Sequence, residues 1–187
     1  TTTNDTISFG SAVTLTGPVA LDTGAGIGNI NFASTVNSDA ALTTRDLTLT
    51  AGTGSIVFGG AVGTTQSLED LRIVSAADVT AVAVTAETIT QVAGTGTTTF
   101  NGAVNTSAAG GVDLTGAAFT VNSTINTAGD GIVEITNGGL LTIAGGGDMT
   151  LDGSFTQNGV GLVSTAGDIT TTNDTISFGS AVTLTGP

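Results

Sequence analysis

The sequence lacks Lys, His, Cys, Trp and Tyr altogether, five residue types that carry much of protein chemistry. Its only cations are Arg45 and Arg72, which stand against 15 acidic residues and leave a net charge of −13. Two arginines cannot neutralise a run of phosphates, so we expect no nucleic-acid binding, and an anionic membrane surface would repel the chain. Without cysteine there are no disulfides, so packing and hydrogen bonds must supply the stability.

The same absences argue against catalysis. A nucleophile activated by a His base cannot be assembled without His, and the Cys and Lys nucleophiles are missing too. Glycoside hydrolysis needs only two carboxylates at a defined separation, and Asp148 with Asp152 is the pair that the sequence offers. Asp148 belongs to an Asp-apolar-Thr motif that occurs five times, whereas a catalytic site need not repeat. We therefore expect no enzyme, no catalytic residues and no cofactor.

Long apolar runs are missing as well. None reaches the roughly 18–20 residues of a membrane-spanning helix, so we expect no membrane insertion by this segment. The chain opens on Thr1, with neither an initiator Met nor a signal peptide, and runs directly into a β pattern. The expectation is an internal or processed segment whose targeting sequence lies elsewhere.

The sequence is rich in Gly, Thr and small aliphatic residues. It has 29 Gly and is 39% hydrophobic, which is enough apolar content to build a core. In segments 13–16 and 47–50, aliphatic residues alternate strictly with Thr, which predicts strands with one buried face. Glycine-rich stretches between such segments predict turns. One tetrad, Ser67-Leu-Glu-Asp70, resembles a capping box and predicts a helical turn before a strand at 71–75.

A long repeat organises the chain. Residues 170–187 read TTTNDTISFGSAVTLTGP and are identical to residues 1–18, an offset of 169. This identity predicts a tandem array. Residues 1–169 form one full unit, and residues 170–187 begin the next unit rather than a separate domain.

A shorter, degenerate period runs inside the unit. The pattern Ile-x-Phe-x-x-x-Val at 7–13 returns at 30–36, 56–62 and 176–182, and in altered form at 98–104. Two of the longer gaps between Phe residues each accommodate a coil without Phe, around 79–84 and 140–143. The unit then holds about eight coils of roughly 21 residues. We expect the Phe residues to form a structural core ladder: Phe9, Phe32, Phe58, Phe100, Phe119, Phe155 and Phe178.

A coil of that length cannot bury its own apolar side chains, but stacked coils can bury them in a shared interior. The sequence therefore predicts an all-β chain folded as a right-handed parallel β-helix (β-solenoid). The alternative is an antiparallel sandwich or barrel, for which Asn101-Gly, Asp130-Gly and similar pairs would supply hairpin turns. The long exact repeat favours the solenoid, because an array of closed sandwiches would need linkers.

Segments 46–52, 67–75 and 100–104 resemble the repeats of giant bacterial surface proteins, the filamentous-haemagglutinin-like adhesins and related β-strand-repeat exoproteins. The resemblance extends over essentially the whole chain. It implies a parallel β-helix shaft, secreted and exposed on the cell surface or in a filament, with a role in adhesion, biofilm or filament formation. It also implies an extracellular location.

Two readings of function follow. The first is a structural repeat segment of a long extracellular filament, stalk or adhesin shaft, whose partners are further copies of the same unit. Lateral self-association of separate rods stays open. The alternative is a surface-binding module that recognises a glycan or a host surface, or that binds ice through outward Thr-x-Thr pairs beginning at Thr14, Thr48, Thr88 and Thr183.

A calcium site is a further alternative. Gly145–Asp148 weakly resembles a calcium-binding nonapeptide, but that motif must recur in consecutive coils and occurs here once. Acidic residues in turns, such as Asp22, Asp130 and Asp168, could collect Ca²⁺ weakly. A solvated acidic surface explains them better, so we expect no metal site.

Overall fold

The computed structural model describes residues 1–40 and 45–186, which form 23 short β-strands and no helix. The chain winds in coils whose strands lie on three successive faces, named here face 1, face 2 and face 3. Strands on one face pair in parallel with those of the neighbouring coils. The nine strands of face 1 bound eight coils, which confirms the predicted all-β parallel solenoid of about eight turns.

The strands of face 1 are β1 (Ile7–Phe9), β4 (Ile30–Phe32), β7 (Ile56–Phe58), β9 (Val79–Ala81), β11 (Thr97–Phe100), β14 (Ala118–Val121), β17 (Leu141–Ile143), β20 (Val163–Thr165) and β23 (Val182–Leu184). Those of face 2 are β2 (Val13–Leu15), β5 (Val36–Ser38), β12 (Val104–Thr106), β15 (Ile125–Thr127), β18 (Met149–Leu151) and β21 (Ile169–Thr171). Those of face 3 are β3 (Val19–Asp22), β6 (Leu47–Thr50), β8 (Leu68–Ser75), β13 (Val112–Gly116), β16 (Val133–Asn137), β19 (Phe155–Gln157) and β22 (Ile176–Phe178). The remaining strand, β10 (Val84–Gln91), bends across faces 2 and 3 and pairs on both, and the first residue of β8, Leu68, pairs with its face 2 part.

Alternation within each short strand builds the core. In β4, β5 and β7 the first and third residues are buried and the middle residue faces outward. Parallel pairing sets equivalent residues above one another, so Ile30 stacks on Ile56 and Ile56 on Val79. A coil that exposes its apolar residues upward and downward is therefore covered by its neighbours on both sides, and the interior becomes one continuous apolar column.

The helical turn predicted at Ser67–Asp70 is wrong. Residues 68–70 are the first part of the eight-residue strand β8, in which Leu68 and Leu71 are buried and Glu69 and Asp70 are exposed. Leu68 pairs with Ala86 and Leu71 with Ile89 of β10, and this continuous ladder outweighs a local cap of one turn. Within residues 1–40 and 45–186, no helix is long and apolar enough to cross a membrane.

The sandwich alternative is wrong as well. The Asn101-Gly102 pair joins β11 to β12, and these two strands pair with other coils rather than with each other. The Asp130-Gly131 pair likewise lies at a corner between faces, where Asp130 has a φ of 60°. These dipeptides therefore turn the chain from one face to the next, since the same positive-φ preference serves a solenoid corner as well as a hairpin.

Some corners bring the backbones of adjacent coils too close together for any side chain. Gly161, between faces 3 and 1, donates its N–H to the carbonyl oxygen of Asn137 at 3.0 Å. A Cβ added at Gly161 would lie 1.6 Å from the carbonyl oxygen of Gly139 in the preceding coil. On the same corner, a Cβ at Gly138 would come no closer than 3.9 Å to Gly116 O. The coil spacing therefore requires glycine at position 161, whereas position 138 has room for an alanine side chain.

We predict that Gly161→Ala lowers the free energy of unfolding by about 1–3 kcal/mol, because the methyl group forces two coils apart. The matched variant Gly138→Ala should be neutral or stabilising by up to about 1 kcal/mol, since alanine reduces the entropy of the unfolded chain. Urea unfolding followed by far-UV circular dichroism measures both. Equal effects of the two variants would contradict the close approach at Gly161.

Candidate assembly surface at the open ends of the solenoid

Three of the seven Phe residues form a continuous stack on face 1. The ring centroids of Phe9 and Phe32 lie 5.1 Å apart with an interplanar angle of 8°. Those of Phe32 and Phe58 lie 5.3 Å apart at 5°. The column then continues through Ala81 to Phe100, so the coil at 79–84 is indeed one without Phe. The prediction of a second such coil at 140–143 is wrong, because the coil that starts at Leu141 contains Phe155 on face 3.

The other Phe residues occupy different columns. Phe119 stacks on Thr98 and Leu141. Phe100 pairs instead with Val121, two residues after Phe119, so the two Phe residues lie in different columns. Phe155 and Phe178 lie on face 3, where their rings are 5.2 Å apart and tilted by 51°. Phe32, Phe58, Phe100, Phe119 and Phe155 are buried, and Phe9 and Phe178, in the end coils, are partly buried. The Phe residues therefore share the interior without forming one ladder.

The Thr-x-Thr pairs do not share a face. Thr14 lies on face 2, Thr48 and Thr90 lie on face 3, and Thr183 lies on face 1. Even on face 3 the outward column is mixed, because Arg72 stands between Thr48 and Thr90. The pairs therefore form no common two-column lattice, although Thr183 itself ends a single outward column of hydroxyl residues on face 1 that begins at Thr80.

Several acidic side chains accept hydrogen bonds from the backbone of the neighbouring coil. Asp148 Oδ1 accepts from the N–H of Asp168 at 2.9 Å, and Asp152 Oδ2 accepts from the N–H of Asp130 at 2.9 Å. Asp78 Oδ1 accepts from the N–H of Thr97 at 2.8 Å. The two carboxylates considered for hydrolysis thus tie different coil corners together. Within the described ranges, no group of three or more acidic residues is placed to hold a metal ion.

Arg45 pairs with Asp39 rather than with its sequence neighbour Asp46. Its Nε lies 3.0 Å from Asp39 Oδ1 and its terminal nitrogen 3.3 Å from Oδ2. The hydrogen bond from Arg45 lowers the pKa of the Asp39 carboxyl below its usual value.

Asp113 and Glu134 are directly opposed on adjacent strands of face 3. Partial burial raises the pKa of the Asp113 carboxyl, and the negative charge of Glu134 raises it further. Like charges facing each other across a ladder destabilise the pairing. These two acids therefore form a small electrostatic defect in the ladder of face 3.

Two buried amides bind the last coils together at the corner between faces 3 and 1. Gln157 Nε2 donates to Asn137 Oδ1 at 2.6 Å, and Asn137 Nδ2 donates to Gly139 O at 2.6 Å. Gln157 Oε1 accepts from Gly179 N and Ser180 Oγ at 3.1 and 3.2 Å. Sequence reasoning missed Gln157, although the alternation that places Phe155 inward also places Gln157 inward. Through this side chain the end of the first unit holds the start of the second.

The same corner carries a surface groove. It has a volume of about 520 Å³ and is lined by stacked small residues, among them Gly94, Gly116 and Gly138. Exposed apolar side chains lie along this corner: Val92, Leu140, Val160 and Leu162. The groove contains no aromatic lining residue against which a sugar could stack.

The two ends of the solenoid are open ladders with exposed apolar residues. At the C-terminal end, a shallow cavity of about 260 Å³ is lined by Ile169, Ile176, Phe178 and Leu184, with polar neighbours. Leu184 is 79% exposed there, whereas Leu15, the equivalent residue of the first copy, is 3% exposed beneath the following coil. At the N-terminal end, Phe9 and Val13 are only partly buried.

Comparison with known proteins finds no matching family model, no matching curated protein and no matching solved structure. The parallel solenoid and its tandem repeat are what the structure shows. Membership of the filamentous-haemagglutinin-like proteins stays a prediction.

We predict that Asp113→Asn raises the free energy of unfolding at pH 7 by a few tenths of a kcal/mol, because it removes the repulsion by Glu134. The pKa of Asp113 is higher in the folded chain than in the unfolded chain. The parent is therefore as stable as the variant below the unfolded-state pKa and loses stability as the pH rises through the folded-state pKa. The difference between the variant and the parent should therefore vanish below about pH 4. Asp39→Asn should instead lower the free energy of unfolding at pH 7, because it removes the ion pair with Arg45. Urea midpoints between pH 3 and 7 measure both, and a pH-independent difference at Asp113 would contradict the pairing.

We predict that Gln157→Leu costs about 1–3 kcal/mol, because Asn137 Oδ1 and Gly179 N lose their buried partner. The loss should be localised, so amide hydrogen exchange should accelerate most in β22 and β23. Ile135→Leu, in the same column, keeps the polar contacts and serves as the control. Equal exchange in β22 and β23 of both variants would show that the amide does not hold the second copy.

Proposed function

We propose that the chain is a structural repeat segment of a long filament, stalk or adhesin shaft, in which units stack end to end into a stiff rod. Its partners are further copies of the same unit. The proposed location is extracellular, on the cell surface or in a secreted filament, as the resemblance to bacterial surface repeats implies. We propose no catalytic role.

One observation carries the proposal: the second copy of the repeated segment stacks on the preceding coil with the same parallel pairing as the coils inside the unit. Leu184 is 79% exposed at the open end, and Leu15 is 3% exposed where a coil follows it. The next residues of an array would supply that coil. At about 25 cal/mol per Å² of apolar surface, covering such an end is favourable, and each unit provides the surface that the previous one needs.

The covering segment is already present in part. Strands β22 and β23 continue the ladders of faces 3 and 1 without interruption, and Ile176 pairs with Phe155 while Val182 pairs with Val163. The buried side chain of Gln157 accepts hydrogen bonds from Gly179 and Ser180 at this junction. The junction thus has the same kinds of contact as the coils inside the unit.

The outer surface favours a spacer over a recognition module. The outward column of face 3 runs Thr48, Arg72, Thr90, Asp113 and Glu134, so neither charge nor shape repeats on that face. Face 1 does repeat, because its outward column consists of hydroxyl residues in six successive coils: Thr80, Thr99, Thr120, Thr142, Ser164 and Thr183. An ice-binding surface of Thr-x-Thr pairs requires two such columns side by side, whereas the three-residue strands of face 1 have one outward residue each. A sugar platform requires exposed aromatic side chains. A net charge of −13 also disfavours clumping of neighbouring rods.

A chain of two consecutive units tests whether the open end becomes core in an array. Leu184→Asp should change the stability of the 187-residue protein by no more than about 0.5 kcal/mol, because the side chain is exposed there. In the two-unit chain the same substitution buries an unpaired charge, so we expect hydrogen-exchange protection to be lost around the junction. Thr183→Asp, whose side chain points outward, is the matched control.

Electron microscopy of the two-unit chain should also show a rod lengthened by about 37 Å per unit, from about 4.8 Å per coil. Equal hydrogen-exchange protection of the junction in the Leu184→Asp and Thr183→Asp variants, together with compact particles, would rule out the shaft.

A further inference from the structure

The two identical copies of the 18-residue segment lie on different faces of the solenoid. In the first copy, β1 lies on face 1 and β2 on face 2. In the second copy, the equivalent strands β22 and β23 lie on face 3 and face 1. Both strands have shifted in the same sense by one face. The 169-residue sequence repeat is therefore not a whole number of coils.

The local conformation of the two copies is nevertheless the same. Asn4 and Asn173, which are equivalent, both adopt positive φ, 60° and 63°. In each copy a Thr hydroxyl donates to the carbonyl oxygen of an Asp three residues later at 2.7 Å, from Thr2 to Asp5 and from Thr171 to Asp174. The segment thus keeps its turns and strands and changes only the strands on which it stacks.

The offset follows from the length of the unit. Eight coils on face 1 run from Ile7 to Val182, the first residues of β1 and β23. The repeat of Ile7, however, is Ile176, which lies six residues and one face before Val182. A unit of 169 residues is therefore one face short of eight coils.

The faces can exchange roles because their strands are alike. At the start of the unit, the strands on the three successive faces begin six residues apart, at Ile7, Val13 and Val19. The strand that starts at Ile176 stacks in register on the one that starts at Phe155, and the Phe155 and Phe178 rings are 5.2 Å apart. The segment thus fits face 3 with the parallel pairing that it has on face 1.

We propose that, in the array inferred above, each unit docks on the preceding one displaced by one face, so that successive units are related by a third of a turn. This inference rests on the proposed shaft and assigns the orientation of its docking surface: Ile7 of each unit stacks on Phe155 of the unit before. The rod then repeats only after three units, an axial distance of about 110 Å at 4.8 Å per coil.

The absence of cysteine from the sequence allows a direct test. In a chain of three consecutive units, Thr150→Cys places one thiol per unit on an exposed position of face 2. Maleimide-linked gold clusters on these thiols can be located by electron tomography. We expect clusters spaced by about 37 Å along the rod that advance by a third of a turn each time.

A unit lengthened by one face is the matched control. Duplicating the six residues from Val163 to Asp168, which span the step from face 1 to face 2, gives a unit of eight whole coils. Its gold clusters should fall along one side of the rod. Clusters on one side of the original rod would overturn the one-face offset and leave the shaft standing, whereas compact particles without an axis would overturn both.

Discussion

The parallel ladder between coils is the interaction on which the rest of the structure depends. Each coil donates and accepts backbone hydrogen bonds with the coils on either side, as in Ile30 N to Ser55 O at 2.9 Å. This fixes the spacing between coils at about 4.8 Å, and every corner must fit that spacing. At this spacing a side chain at position 161 would collide with the preceding coil, so the residue is Gly161. The same spacing brings the inward side chains of Ile30 and Ile56 into contact. No single coil could be stable alone, so stability belongs to the stack.

The overall fold could be predicted from the sequence because repetition and alternation are both local signals. Alternation at 47–50 identified a strand, and recurrence of the Phe pattern identified the coil. What could not be predicted is which face a strand occupies, since the face depends on the total length of all preceding corners. For this reason the sequence pattern alone places Phe178 with Phe9, although the two lie on different faces.

The same limit explains the other differences. The segment from Ser67 to Asp70 matches a helix cap by local pattern, yet a long-range ladder with β10 decides its structure. Asp148 and Asp152 suggested paired carboxylates from their spacing, but each accepts a backbone N–H from a different neighbouring residue. These two carboxylates therefore act at corners of the solenoid, and no sequence motif distinguishes that role from a catalytic one. Gln157 could have been recognised as inward by alternation, although its partners could not.

If units stack in tandem as proposed, the displacement of one face per unit has a consequence for how such arrays change in evolution. Tandem copies are gained and lost by recombination in whole units, and each event alters the length of the rod by a fixed step. With the offset, each event also rotates everything beyond it by a third of a turn. The copy number, counted in threes, would then decide the direction in which a terminal module faces. The apolar edge that carries Val160 and Leu162 would likewise point to a different side in each successive unit.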